Sequence, residues 1–321
     1  MITSETPGEA AASPHDELAG VDPAKVKVME IVGQLRAARD RTFSFLLVGR
    51  AGMGKSSLVN TLLGREVAQV GHYEPSTSNV TVYETTIEGV TCTVADTPGL
   101  CDDIPEIGND ARYLEMIRAR VSSVDCMWFV TRLDDSRVRS DEKQGIQRIT
   151  AAFGPRVWER AVLVFTFANN VAAASYAQVL TRRAELIRAE IGLHSGTTIA
   201  RAIPAVAADN HVKTPPDGKP WLGELYTTVF ERISATGALP FLLATASRVA
   251  MSDAPEPSRE GPQRITLDEA QRSRITRRID ADIIPTLGLL GASIGAAFGP
   301  VGAAVGGVVG TAVGLIAWLR N

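Results

Sequence analysis

The 321-residue chain is 45% hydrophobic and carries 33 Lys and Arg against 36 Asp and Glu, a net charge of −3. This supplies a full core and excludes the strong basic field that draws a protein onto nucleic acid, so no nucleic-acid partner is expected. The cysteines, Cys92, Cys101 and Cys126, have neither paired nor metal-ligand spacing, which excludes a disulfide framework.

Residues 1–22 are acidic and rich in small side chains, without the basic and apolar regions of a secretory signal. A disordered lead-in is expected there, with the body on the cytoplasmic side. Apolar residues at helical spacing (Val26, Val28, Ile31, Val32, Leu35) fill 23–41 and deliver the chain to a strand, FSFLLVG, at 43–49. A helix follows at 56–64, then VTVYETTIE (80–88) and VTCTVAD (90–96), joined at Gly89 as a hairpin. Further helices are expected at about 106–120, 141–153, 175–191 and 221–236, and strands at 126–131, 161–167 and 200–208. Strands alternating with helices predict an α/β fold over 23–250: a three-layer, mostly parallel sheet flanked by helices on both faces. Residues 251–264, rich in Pro and charge, read as a linker. Residues 265–284 read as a basic juxtamembrane helix carrying Arg272, Arg274, Arg277 and Arg278, and 285–321 as a Gly-rich hydrophobic helical segment.

GRAGMGKSS, Gly49–Ser57, fits G-x-x-x-x-G-K-S, the P-loop, and it follows a strand and opens a helix. A phosphate chain needs several backbone N–H groups converging on it. Gly49, Gly52 and Gly54 allow the turn, Arg50, Ala51 and Met53 complete it, and the helix start at Lys55, Ser56 and Ser57 adds its dipole. Lys55 suits the β and γ oxygens, and the Ser56 hydroxyl suits Mg2+. In VADTPG, Asp96 ends a strand and suits a carboxylate holding that metal through water, while the Gly99 N–H would meet the γ-phosphate. A metal-binding threonine belongs just before the second strand; Thr77 is the candidate and Thr81 the reserve. The residue after Gly99 is Leu100, which cannot orient water, so slow hydrolysis by the lone chain is expected.

GRAGMGKSSLVNTLLG, DTPGL, FVTRLDDSRVRSDEKQGIQRITAAFG and VWERAVLVFTFANN, with DGKPWLGEL at 217–225, resemble the septin-related P-loop GTPases over about residues 40–235. Two groups are meant: the immunity-associated nucleotide-binding family and the receptor GTPases of the chloroplast outer-envelope import machinery. The resemblance implies GTP and GDP as ligands, a C-terminal membrane anchor, and a homodimer formed across the nucleotide faces. In that dimer Arg137 would approach the partner's nucleotide. The chain departs from most GTPases in lacking Asn-Lys-x-Asp for guanine. TFANN (166–170) stands at that point, with Phe167 where the import receptors put histidine; Phe167 is placed to stack on the base and Asn169 to bond its edge. ADN (208–210) is expected as the second base loop, with Asp209 the candidate guanine acceptor and Asn210 beside it; plain strand-end capping is the alternative for both loops. An ATP-using enzyme stays open on these residues.

The tail is free of charge from 283 to 319 and too apolar for a flexible linker. Gly291, Gly295 and Gly299 recur at four, as do Gly302, Gly306, Gly310 and Gly314, which places small residues on one helical face. As a helix, Val301–Leu319 would span about 28 Å, enough for a hydrocarbon core. Membrane lipid is thus an expected partner, with Trp318 at an interface and the arginines at headgroups; a helical hairpin folded onto the protein is the alternative. The expectation is a membrane-tethered GTPase switch, slow alone, regulated by homodimerisation and acting on an effector that the sequence does not name. The alternative is a nucleotide-gated scaffold or glycine-zipper oligomer with little turnover.

Overall fold

The computed structural model describes residues 23–69, 81–97, 123–210, 214–250, 262–283 and 307–320, with three isolated positions between 115 and 121. One sheet has six strands: β1 (Thr42–Val48), β2 (Thr81–Ile87), β3 (Val90–Thr97), β4 (Cys126–Arg132), β5 (Ala161–Thr166) and β6 (Ala205–Ala207), in the order β2-β3-β1-β4-β5-β6. Every pair is parallel except β2 with β3. Those two form the expected hairpin, turning through Glu88 and Gly89 at φ 50° and 81°. A two-residue turn with both φ positive matches the twist of the strands it joins.

The central strands are continuous apolar runs because helices cover both their faces. Along β4, Cys126, Trp128 and Val130 enter one core while Met127 and Phe129 enter the other. The first core lies under α1 (Pro23–Arg39), α2 (Lys55–Leu63), α6 (Trp221–Arg232) and α7 (Ala235–Thr245). Its centre is aromatic, with Phe241 of α7 at 5.7 and 5.8 Å from the rings of Phe43 and Phe45. The second core lies under α3 (Ser140–Phe153) and α4 (Tyr176–Ser195). The expected three-layer α/β architecture stands.

Three expectations change. The strand expected at 200–208 is only Ala205–Ala207, since Gly196, at φ 87°, ends α4 and α5 (Thr197–Arg201) takes up the chain before it. The helix expected at 221–236 stops at Arg232. Ser234 then accepts from Gly237 N and starts α7, an element apolar on every side. The helix expected at 106–120 falls almost wholly outside the described residues.

The third change concerns the C-terminus. β7 (Val249–Ala250) pairs with β8 (Ile265–Thr266), and α8 (Glu269–Arg278) packs on α6. Of the span expected over Val301–Leu319, residues 307–319 lie in α9, Gly307–Arg320, 14 residues long; residues 284–306, with Gly291, Gly295, Gly299, Gly302 and Gly306, lie outside the described residues. Among the described residues no helix is long and apolar enough to cross a membrane. Val309, Ala312, Val313, Ile316 and Leu319 recur at helical spacing, and all are buried in the first core. The last carbonyls of α9 are met by α8: Arg272 donates to Trp318 O at 2.5 Å and Thr276 to Leu319 O at 2.9 Å. The Arg272 guanidinium also lies 4.2 Å over the Trp318 ring, and Arg320 pairs with Asp280.

The expected lipid-facing arginines are therefore engaged. Arg274 bridges Glu224 (2.7 Å) and Glu231 (2.5 Å), and Arg278 pairs with Asp282, which leaves Arg277 the exposed member of the four. One further cation joins this region to α2. Buried Arg248 donates to Leu62 O, to Thr61 O at 2.9 Å and to Gln263 O at 2.5 Å, capping the carbonyl end of α2.

Candidate functional site

β1 ends at Val48 and α2 starts at Lys55; the six residues between them make the phosphate-binding turn. Gly49 has to be glycine: a Cβ there would stand 2.2 Å from Val130 O on β4. Gly54, at φ 82°, precedes α2, and no side chain caps that helix start. Its first N–H groups are thus directed at whatever anion the loop receives.

Lys55 is 6% exposed, and its Nζ donates to Gly49 O (2.9 Å) and Arg50 O (3.0 Å). These bonds draw the loop into a ring around the ammonium. The same Nζ lies 3.5 Å from Asp96 Oδ1, and Ser56 Oγ donates to Asp96 Oδ2 at 3.3 Å. Asp96 reaches them because β3 runs parallel to β1 with Asp96 paired to Leu47, one residue short of the end of β1. Asp96 Oδ1 is buried without a hydrogen-bond partner. An orphaned carboxylate oxygen beside a helix-start hydroxyl is a donor set for a hard divalent cation such as Mg2+. Across the loop, Arg50 pairs with Asp141 of α3 at 3.1 Å, tying the turn to a neighbouring helix.

The two proposed base loops also meet. Asn169 N donates to Asp209 Oδ2 at 3.4 Å, so this carboxylate, expected as a guanine acceptor, also joins the loops after β5 and β6. Asn210 Oδ1 accepts from Thr61 of α2 at 3.4 Å, and its side-chain nitrogen would lie 3.6 Å from a Cβ on Gly54. Asn210 therefore borders the phosphate turn, and the Asn169 side chain is exposed. Phe167 sits at φ 56°, a left-handed conformation costly for a bulky residue, and the Arg132 guanidinium lies 4.1 Å over its ring.

Arg132, Asp134 and Asn170 are functional candidates that sequence reasoning missed. Arg132 holds Asp134 by two bonds, at 2.8 and 2.6 Å, and Asn170 donates to Asp134 at 2.8 Å. The Arg132 hydrogen bonds keep the Asp134 carboxyl below its ordinary pKa. Arg137 is exposed five residues further on. The signal was present in RLDDSRV, where the spacing of charges ties the loop to itself, but their partners across the fold were not visible. Thr77, Gly99 and Leu100 lie outside the described residues; Thr81 stands in β2 opposite Asp96.

Residues 43–192 match the AIG1 family model. The translocase of chloroplast 34 homolog of Chlamydomonas reinhardtii is 28% identical over 66% of this chain, and the chain spans 59% of that relative's length. Among solved structures, Toc33 from Arabidopsis thaliana in complex with Mg2+ and GMPPNP superposes with a TM-score of 0.50 at 26% identity, over 69% of this chain and 95% of that one. A further match, TM-score 0.51 at 26% identity over 67% of this chain and 90% of the other, belongs to work on atToc33 and psToc159, chloroplast translocon components for whose GTPase activity dimerization is important.

Proposed function

We propose that this chain, whose residues 43–192 form an AIG1-type P-loop domain, binds GTP with Mg2+ and hydrolyses it as a slow switch that a second copy accelerates. The observation that carries this is the convergence of Lys55, Ser56 and Asp96 on one loop, with Lys55 Nζ 3.5 Å from the carboxylate. Ser56 and Asp96 would hold the metal, with Thr77 as the further candidate; the metal, when bound, neutralises charge on the phosphate oxygens. Lys55 and the N–H groups opening α2 would hold the β and γ phosphates, and Gly99, outside the described residues, is the candidate N–H donor to the γ-phosphoryl group transferred to water.

The base loops support guanine through Asn169, Asp209 and the ring of Phe167. Leu100, in place of a residue that positions water, supports slow turnover by one copy. Arg137, exposed on the loop between β4 and α3, supports completion of the site by the partner's arginine, as the likeness to dimerising relatives suggests. α9 belongs to this reading as part of the folded body, because it packs between α1, α7 and α8, and residues 285–306 stay the candidate membrane tether.

The deciding measurement is GTP turnover per protomer against protein concentration, with ATP as competitor. Specific activity that climbs with concentration and is lost in Arg137→Ala supports the switch. Flat activity in both proteins removes the dimer, and equal displacement of GTP by ATP removes guanine selectivity.

A further inference from the structure

The loop between β4 and α3 hangs on one buried ion pair. Arg183, from the middle of α4, and Glu142, from the first turn of α3, have side chains 1% and 4% exposed and pair directly. Arg183 spends its remaining donors on the loop: Nε bonds Arg132 O at 3.1 Å, Nη1 bonds Arg137 O at 2.9 Å, and Nη2 bonds Thr131 Oγ1 at 3.1 Å. Glu142 closes the far end by accepting Arg139 N at 2.9 Å. Three main-chain groups of Arg132–Arg139 are thus fixed by one guanidinium–carboxylate pair.

Burying two charges is costly, and an apolar pair of similar size often serves stability as well. What an apolar pair cannot supply is a rigid planar fork that bonds two carbonyls at set positions while keeping its anion. One of those carbonyls belongs to Arg137 itself. The backbone from which that side chain springs is therefore held by Arg183, while the side chain itself is exposed. The Arg132–Phe167 contact and the Asp134–Asn170 bond hold the other flank of the same loop to the base loop.

We propose that Arg183, with Glu142 as its anchor, is a positioning residue for Arg137: it sets the loop so that Arg137 reaches the partner's nucleotide at once on dimerisation. This rests on the reading of Arg137 given above. A loop that must find its place after docking would forfeit most of the gain, since small misplacements of a catalytic group cost about 100-fold in rate.

The test uses the full chain and three measurements: the ratio of turnover at saturating protein to turnover at high dilution, the Kd for a fluorescent GDP analogue, and the thermal midpoint. The variants are Arg183→Lys, which keeps the charge but loses the fork, and the paired Arg183→Met/Glu142→Gln, which avoids an unpaired buried charge. Positioning predicts that the ratio falls toward that of Arg137→Ala, about 100-fold below the parent. It also predicts that GDP affinity holds in both variants and that adding Arg137→Ala to Arg183→Lys lowers the ratio no further. A ratio that survives in either folded variant overturns the proposal, as does a loss in which affinity, thermal midpoint and both turnover rates decline together. An unchanged ratio in Arg137→Ala alone would instead strike the dimer reading, so the two failures are told apart.

Discussion

Lys55 Nζ stands 3.5 Å from Asp96 Oδ1, so the loop that opens α2 and the strand that ends at Thr97 share one electrostatic centre. Neither group is close in sequence. Parallel pairing of β1 with β3 brings them together, as it does for any βαβ arrangement with a phosphate turn at the carboxyl end of its strands.

Removing either half of this centre should cost nucleotide affinity. Lys55→Ala is expected to weaken GTP on the order of 100-fold, about 2.8 kcal/mol, with or without Mg2+. Asp96→Asn should weaken it only when Mg2+ is present. Fluorescence titration in Mg2+ and in EDTA separates the two; equal losses for Asp96→Asn in both buffers would mean that the carboxylate serves no metal.

Phe167 offers a second check. Stacking of a base on an aromatic ring is worth about 1–3 kcal/mol, so Phe167→Ala should raise the Kd for GTP by about 5- to 140-fold. Asp209→Asn should narrow the preference for GTP over ATP, as read by competition. An unaltered preference would leave Asp209 as a bridge between loops.

The tail is tested by stability. Ile316 is fully buried, and Ile316→Ala should cost about 2–5 kcal/mol in urea unfolding of the full chain. A helix lodged in lipid would show no such effect on the protein in buffer. Flotation with anionic vesicles then tests residues 284–306, outside the described residues: a chain that floats keeps the membrane tether, and one that stays in the aqueous fraction removes it.

Alkaline pH should weaken the fold through Cys126. Burial pushes its thiol up from an ordinary value of 9.0 to about 12. The folded state therefore holds a proton that the unfolded chain releases. This contribution is complete below pH 9 and declines as pH rises toward 12. Tyr226, also pushed up to about 12 by burial, adds to the decline above pH 10. Between pH 9 and 10 the Cys126 share approaches about 1.4 kcal/mol per pH unit. Cys126→Ala should flatten the curve of unfolding free energy against pH there; an identical slope would assign the loss elsewhere.

Much of the body was legible because its signals are local. The glycines of the P-loop, the alternating apolar runs and the turn at Gly89 each encode geometry within a few residues. The tail was only partly legible for a physical reason: small residues at every fourth position allow close backbone approach in lipid and in a protein core alike, and the spacing does not say which surrounds them; over 307–319 it is the core. α7 was hidden because an element buried on all sides has no periodicity to detect, and only the Ser234 cap separates it from α6. Arg183 was invisible because its carboxylate partner stands 41 residues away and two more partners are backbone carbonyls 46 and 51 residues away, and a main-chain acceptor leaves no mark in side-chain pattern.

Arg248 has a practical corollary. Its guanidinium reaches forward to Gln263 O and back to the carbonyl end of α2, so the residues after 250 buttress the far end of the helix that begins at Lys55. Cutting the chain near Ser252, the obvious way to isolate a nucleotide-binding unit, would leave that arginine half engaged and lay bare the apolar groove now filled by Ile265, Ile275 and Ile316. Enzymology on such a fragment would describe a weakened molecule, and the seemingly dispensable end of the chain proves to be part of its foundation.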